Sequence, residues 1–178
     1  MKALIYENKV IQIEEQAFDV ALSLKWVDIP NGGDVKEGDT YKNNTFSKSL
    51  GQYDNLSFPQ AIAKKLAELE RAYDNARANT FVSYNGNQFS IKEKTIANLN
   101  ALWAYGKKKE EENNALTLYP FTDKDGVRVN MTKQQFSDLI DDAFEAIVVL
   151  DTKEATMAEE IKNLPSIEDI ANYTITFS

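Results

Sequence analysis

Residues 80–99 read TFVSYNGNQFSIKEKTIANL, and this stretch decides the fold class. Its first half holds two short runs of strand-forming residues around an Asn-Gly pair, a dipeptide that strongly indicates a β-hairpin turn. Its second half changes to helical spacing, with Ile96, Leu99 and Gly106 on the packed side of a helix predicted over residues 94–109. A hairpin that leads directly into a helix predicts an α+β fold.

Further helices and a further hairpin are predicted on either side of this stretch. Ser57 has the position of a helix N-cap, and Gln60 has that of its capping-box partner. Thr132 begins the last long helix in the same way, and Pro165 ends it. An Asp-Gly turn between two strand-forming runs predicts a hairpin over residues 116–131.

Both long helices space their apolar residues alternately four and three apart, which is the heptad pattern. In the first helix these residues are Ile62, Leu66, Leu69, Tyr73 and Ala76. In the last they are Phe136, Ile140, Ala143, Ile147, Leu150, Met157, Ile161 and Leu164. Only Glu154 interrupts the last series. The spacing fits two arrangements: a coiled coil between chains, as in a trimeric fibre, or packing of the two helices against each other within one chain.

The first fifty residues predict a small antiparallel β module. Strand-forming residues indicate an opening hairpin over residues 3–13 and a second hairpin over residues 40–47. Between them, residues 22–26 alternate as a strand with Leu22, Leu24 and Trp26 on one face. A Pro-Asn-Gly-Gly turn at residues 30–33 ends this strand.

Residues 48–57 are polar and turn-rich, which predicts a linker. It separates two predicted domains: a β-rich attachment module, residues 1–50, and an α+β module with a helical hairpin, residues 57–178. A helical turn near residues 166–171 and a strand over residues 173–177 are predicted to close the chain.

Two predicted hairpins share one pattern: Tyr, two residues, Asn, one residue, Phe, Ser, at residues 41–47 and again at residues 84–90. We expect an aromatic pair across each hairpin, because such pairs stabilise neighbouring strands. These aromatic residues and the ladder of the last helix are candidates for internal packing or for contact with a partner. The candidates are Trp26, Tyr41, Phe46, Tyr84, Phe89, Phe136, Ile140 and Ile147.

The chain has neither histidine nor cysteine. This excludes Ser–His–Asp and Cys–His nucleophilic catalysis, and it excludes zinc sites of the Cys/His type. The acidic residues lack the spacing of an EF-hand loop, and no glycine loop for phosphate occurs. A carboxylate-only cation site, two-carboxylate hydrolysis and lysine chemistry stay open, but no specific spacing indicates any of them. We predict no enzyme activity, no catalytic residues, no metal and no cofactor.

The formal charge is −8 and the isoelectric point is about 4.7. Lys107–Lys109, the longest basic run, is followed directly by Glu110–Glu112, which cancel its charge. An acidic chain is repelled by nucleic acids and by anionic lipids. No apolar run has the length of a signal peptide or a membrane span. We predict a soluble protein that is made in the cytoplasm and binds neither nucleic acid nor membrane.

The aromatic-Asn-Gly hairpin at residues 84–89, followed by the helix start at residues 95–99, resembles the DUF4376 family of tailed-phage and prophage proteins. That family also has a strand pair with an Asp-Gly turn and then a Thr-capped helix, which residues 121–132 match. Many members have Trp where this chain has Phe121. The resemblance covers roughly residues 60–164.

The N-terminal module resembles one found at the start of many phage tail-fibre and tail-fibre-assembly proteins, through residues 26–30, residues 38–41 and Phe46. The two resemblances imply a structural component of the virion, at the tail fibre, baseplate or neck. Such a component would dock to other virion proteins and form a homo-oligomer, for example a trimer. Two alternatives stay open: a tail-fibre assembly chaperone, and a glycan-binding or glycan-cleaving tail protein.

Overall fold

The computed structural model describes residues 1–30 and 33–177, so Asn31 and Gly32 of the predicted turn lie outside the described residues. The chain folds as two units, Met1–Leu56 and Ser57–Ser178. The first is a small antiparallel sheet, and the second combines helices with hairpins. The α+β fold class is therefore confirmed.

Five short strands form the first unit: β1 (Lys2–Tyr6), β2 (Lys9–Glu14), β3 (Lys25–Asp28), β4 (Thr40–Lys42) and β5 (Thr45–Ser47). They make one antiparallel sheet in the order β3-β1-β2-β4-β5. Both predicted hairpins are present, and both residues of each two-residue turn have positive φ: Glu7 and Asn8 in one, Asn43 and Asn44 in the other. Turns of this kind match the twist of the strands that they join.

The strand predicted over residues 22–26 begins later than expected, because β3 starts only at Lys25. A turn closed by a backbone hydrogen bond of 2.9 Å from Leu24 precedes it and leaves Leu22 fully exposed. Trp26 packs instead on Phe18, with the ring centroids 5.1 Å apart.

The segment predicted to be a linker, residues 48–57, is not a free linker, because most of it folds onto the first unit. Tyr53 is buried at the end of a single turn of 3-10 helix. The carboxylate of Asp54 accepts a hydrogen bond from the ammonium group of Lys9 on β2. This contact joins residues that are far apart in the chain, so no local sequence pattern could predict it.

The second unit contains these described elements: α1 (Phe58–Asn79), β6 (Phe81–Tyr84), β7 (Asn87–Ser90), α2 (Glu93–Glu111), β8 (Tyr119–Thr122), β9 (Arg128–Met131), α3 (Lys133–Lys162) and α4 (Ile167–Asn172). Both predicted capping boxes are present, at Ser57 and at Thr132. Asn85 and Gly86 have the positive φ that the hairpin turn requires.

An aromatic cluster joins α2, α3 and the second hairpin of this unit. Tyr119 on β8 stacks on Phe136 of α3 with the ring centroids 5.1 Å apart, and Trp103 of α2 packs against both rings. The Tyr119 ring lies directly over Gly106 of α2, where a side chain would collide with it. Phe89 on β7 belongs to the same core and is fully buried.

Helices α1 and α3 pack against each other within the chain. Leu69 of α1 is buried together with Met157 and Ile161 of α3. The Tyr73 hydroxyl of α1 donates a hydrogen bond to the Asp151 carboxylate of α3. Of the two arrangements that the heptad spacing allowed, the intra-chain helix pair is therefore the one that forms.

Residues 173–177 are extended, but the predicted strand is wrong, since they pair with no strand in the described part of the chain. Tyr173, Ile175 and Phe177 pack on the apolar residues of α1 and α3 instead. Their alternation with polar residues reflects packing on a helix pair rather than on a sheet.

A buried lysine holds this C-terminal segment. Lys65 of α1 is 5% exposed, and its ammonium group donates hydrogen bonds of 3.2 Å to the carbonyl oxygens of Ala171 and Tyr173. The Glu68 carboxylate lies 3.2 Å from the same nitrogen. The charge is therefore satisfied inside the unit, although it lies on an otherwise apolar helix face.

Lys65→Met, which keeps the length of the side chain and removes its charge, is expected to lower the free energy of unfolding by about 1.5–3 kcal/mol. The two carbonyl oxygens would lose a charged donor, and the backbone amides of residues 171–177 should exchange faster. Urea unfolding and amide exchange measure the two effects. Lys94→Met, on the exposed surface of α2, is the control. Unchanged exchange at residues 171–177 would contradict the role given to Lys65.

Glu154 separates two parts of the apolar core between α1 and α3. The main core ends at Leu150, and the second cluster begins at Met157. Burial raises the pKa of the Glu154 carboxyl, and the nearby carboxylates of Asp151, Glu70 and Asp74 raise it further. At neutral pH the folded state therefore holds a charge that it disfavours.

Glu154→Gln is expected to stabilise the second unit at pH 7 by up to about 1 kcal/mol, because solvent screens the repulsion only in part. Because the pKa of Glu154 is raised in the folded state, the wild-type protein gains stability as the pH falls through that raised pKa. The advantage of the variant should therefore vanish below pH 4.5, the ordinary pKa of a glutamate carboxyl. Urea unfolding at several pH values measures this difference. Glu145→Gln, an exposed position of the same helix, makes the same charge change. An equal gain from both variants would contradict a local cause.

Candidate docking surfaces

The two edge strands of the first unit, β3 and β5, line the same groove. The sheet is curled, so strands at opposite ends of the strand order face one cavity of about 610 Å³. Apolar side chains line much of it: Val27, Pro30, Val35, Tyr41 and Phe46. A cavity of this size and character is typical of a binding site.

The charges around this groove are largely neutralised within the unit. The Lys2 ammonium group donates to Asp28 at 2.7 Å, and this hydrogen bond and the lysine charge lower the pKa of the Asp28 carboxyl. The buried Asp39 carboxylate accepts a hydrogen bond of 2.8 Å from the Lys36 N–H. Lys48 is the lining lysine for which the described residues provide no ion pair. The groove is therefore nearly neutral, with one free cation at its border.

The first hairpin pattern brings its two aromatic residues together as predicted. Tyr41 and Phe46 lie opposite each other on β4 and β5, and their ring centroids are 4.8 Å apart. Both line the groove. Trp26 lies on the other face of β3, where its indole N–H donates to the Phe18 carbonyl oxygen at 2.9 Å. The structure therefore assigns Tyr41 and Phe46 to the groove and places Trp26 outside it.

The same pattern has a different register in the second unit. Tyr84 lies opposite Asn87, and Phe89 lies opposite Val82. The turn begins one residue sooner after its tyrosine than in the first hairpin, so no aromatic pair spans this one. Phe89 packs near Phe121 instead, with the ring centroids 6.2 Å apart. The predicted aromatic pair is wrong here.

The three candidates on α3 belong to the core. Phe136 is fully buried, and Ile147 is nearly so. Ile140 is partly buried against the same cluster. Phe136 and Ile147, like Phe89, therefore hold the second unit together and offer no free surface to a partner, whereas Ile140 is accessible only in part.

An exposed apolar surface on α3 was not predicted. It consists of Phe144, Val148 and Val149, which are 42%, 59% and 49% exposed, and we call it the α3 patch. Phe144 and Val148 are four residues apart, so their side chains adjoin on the helix surface. A groove of about 430 Å³ extends from Val149 to Phe177. The sequence does carry an indication of the patch: the run AIVVL at residues 146–150 is wider than the single stripe that α1 covers.

Within residues 1–30 and 33–177, no group of three or more acidic side chains is placed to hold a metal ion. None of the described helices is long and apolar enough to cross a membrane. Burial raises the pKa of Tyr173 to about 12, and a hydrogen bond to the Glu160 carboxylate contributes to the shift. This tyrosine belongs to the packed C-terminal segment and lies in neither docking surface.

Comparison with protein families matches residues 60–175 to DUF4376, described as a domain of unknown function. Neither the curated proteins nor the solved structures contain a match to the chain. The matched residues run from the start of α1 through α4 and into the C-terminal segment, beyond the predicted limit at residue 164. They make up well over half of the chain, so the protein belongs to the DUF4376 family.

Proposed function

We propose that the protein is a structural component of a tailed-phage virion, at the tail fibre, baseplate or neck, and that it acts by docking to other virion proteins. Two points support the phage assignment. The second unit belongs to DUF4376, and its sequence resembles tailed-phage and prophage proteins. The first unit resembles the N-terminal modules of tail-fibre and tail-fibre-assembly proteins.

The observation that carries this proposal is that each unit has an apolar surface that its own fold leaves partly or fully uncovered. In the first unit the surface is the groove, where Tyr41 and Phe46 pack on the core and stay partly exposed. In the second it is the α3 patch. Contiguous exposed apolar side chains of this kind mark sites of protein–protein contact. A chain with one such surface on each unit is suited to connect two partners.

A homo-oligomer remains part of the proposal, but through a different surface. The apolar ladder of α3 is covered within the unit, by α1 along its C-terminal part and by α2 and the hairpins along its N-terminal part. It therefore cannot form a trimeric coiled coil while the unit is folded. Self-association would therefore use the α3 patch or the groove.

Quantitative mass spectrometry of purified phage particles tests the virion role. We expect the protein in a fixed copy number that is a multiple of three, six or twelve, because tail structures have cyclic symmetry. Absence from the particles, with the protein present in the lysate, would overturn the structural role and indicate an assembly factor.

Val148→Glu tests the α3 patch. The substitution places a charge on the patch without touching the core, so the unfolding curve of the purified protein should not change. We expect incorporation into particles to fall by about tenfold or more, because an unpaired charge buried in an interface is costly. Thr156→Glu adds the same charge about two turns further along α3 and is the control. Wild-type incorporation of Val148→Glu would contradict docking through this patch.

A further inference from the structure

We propose that the first unit binds an extended strand of another protein in the groove between β3 and β5. This strand would be uncharged along its length, apolar at every second residue, and would close the curled sheet by pairing with both edges. The inference rests on the proposed docking function and specifies the chemistry of the partner.

The hydrogen-bond pattern of β5 directs unused backbone groups outwards. Phe46 lies opposite Tyr41, and the Tyr41 N–H points away from β5 to the carbonyl oxygen of Asn8, at 2.8 Å. In an antiparallel ladder, the residue opposite such a position also directs its N–H and C=O away from the partner strand. The Phe46 backbone groups therefore face the outer edge of β5, and no described residue bonds them.

The backbone groups of β3 also alternate between facing the neighbouring strand and facing the outer edge. Ile29, directly after the strand, donates its N–H to the Met1 carbonyl oxygen at 3.1 Å. Because the bonded residues of an antiparallel strand alternate, Val27 and Lys25 also face β1. Asp28 and Trp26 are the residues between them, and their backbone groups point away from the sheet. In the described part of the chain these groups have no hydrogen-bond partner.

Together the two edges define what would fit between them. A row of backbone donors and acceptors on each side is complemented by a β-strand, whose own N–H and C=O groups alternate in direction. A helix cannot offer these groups, because it uses them internally. Alternate side chains of the added strand would point at Val27, Val35 and Phe46, which selects apolar residues at every second position.

The charges of the groove further restrict the side chains that the added strand can carry. Asp28 is paired with Lys2, and the Asp34 carboxylate lies 3.6 Å from the Lys36 ammonium group. Asp39 accepts hydrogen bonds from two backbone N–H groups, so each carboxylate of the lining already has a partner in the unit. Among the lining charges Lys48 is the exception, and it favours a carboxylate at one end of the strand. Lys25 on the edge strand β3 discourages unselective pairing with other sheets.

Amide exchange of the full-length protein, measured by NMR with and without a peptide, tests the inference. The probe is an acetyl-capped peptide of alternating threonine and valine that ends in aspartate. At saturating peptide we expect the amides of Asp28 and Phe46 to exchange about tenfold more slowly or better, since each gains a hydrogen bond. The amides of Thr45 and Ser47 already face β4 and should change little.

Two controls isolate the backbone pairing. The same peptide methylated on every second backbone nitrogen can no longer pair with the edge that the methyl groups face, so the protected amide on that edge, Asp28 or Phe46, should lose its protection. Asp28→Pro, which removes the outward N–H, should weaken peptide binding at least about tenfold relative to Asp28→Ala, which removes only the carboxylate. Equal protection by the methylated peptide, or equal binding by the two variants, would overturn the inference.

Three further outcomes distinguish a second copy in the groove, a failure of strand addition and a failure of the proposed function. Protection of Asp28 and Phe46 in the protein alone, rising with protein concentration, would show a second copy in the groove and overturn the choice of partner. If the protein is present in purified particles but its Asp28 and Phe46 amides do not respond to the peptide, only strand addition fails. The reverse result would overturn the virion role and leave strand addition standing.

Discussion

Replacing Phe136 with alanine is expected to lower the free energy of unfolding of the second unit by about 3–5 kcal/mol. Phe136 is fully buried, and its ring lies 5.1 Å from that of Tyr119, 6.4 Å from that of Trp103 and 5.9 Å from that of Phe121, measured between centroids. Truncation would open a cavity among three large rings, which can close around it only in part. Urea unfolding measures the loss.

Each unit carries one tryptophan, which makes this measurement specific. Trp26 lies in the first unit and Trp103 in the second, so Trp26→Phe leaves a single fluorescence probe in the second unit. A probe for each unit is needed because two units do not necessarily unfold in one transition.

Phe144→Ala is the matched control for Phe136→Ala, since it makes the same truncation in the same helix. Phe144 is 42% exposed, and its removal is expected to cost below about 1 kcal/mol. Because Phe144 belongs to the α3 patch, we also expect this variant to lose incorporation into particles while it keeps its stability. Equal losses of stability for the two variants would contradict the placement of Phe136 in the core.

Gly106→Ala is expected to lower the free energy of unfolding by about 2–3 kcal/mol, although alanine is the better helix former by about 1 kcal/mol. A Cβ atom on Gly106 would lie 2.3 Å from the Tyr119 hydroxyl oxygen and 2.5 Å from the nearest ring carbon. Tyr119 cannot move aside, because it is fully buried and stacked on Phe136. The helix and the hairpin would therefore have to separate.

A double-mutant cycle with Tyr119→Leu tests this cause. Once the ring is removed, Gly106→Ala should cost little or even stabilise α2, so the two substitutions should be strongly non-additive. Asn100→Ala, on the exposed side of α2, reports the helix propensity alone and is expected to be neutral or slightly stabilising. A Gly106→Ala protein as stable as the wild type would contradict the close approach of Tyr119 to α2.

The hairpins, helix starts and helix ends could be predicted because their determinants lie within a few residues of one another. The Asn-Gly turn at residues 85–86 forms as expected, and so do the capping boxes at Ser57 and Thr132. Turn residues and caps act through backbone conformation and local hydrogen bonds, which need no tertiary contact.

Two of the errors concern contacts between residues distant in the chain, whereas the late start of β3 and the register of the second hairpin have local causes. Asp54 meets Lys9, so the expected linker is folded. Residues 173–177 alternate like a strand, yet they pack on a helix pair. The shared hairpin pattern concealed a shift of one residue in register, which separated Tyr84 from Phe89. A pattern of residue types does not specify which surface it will meet.

The sequence alone establishes the α+β class, the order of the elements and membership of DUF4376, since each depends on local spacing or on matched residues. It could not decide which chain covers the ladder of α3, because an inter-chain coiled coil and an intra-chain helix pair use the same spacing. The folded structure shows that α1, α2 and the hairpins of the same chain cover it, which leaves Phe144 and Val148 exposed. The folded structure also shows that β3 and β5 line one groove. The sequence could not show this, since the curl of a sheet depends on the packing of all its strands.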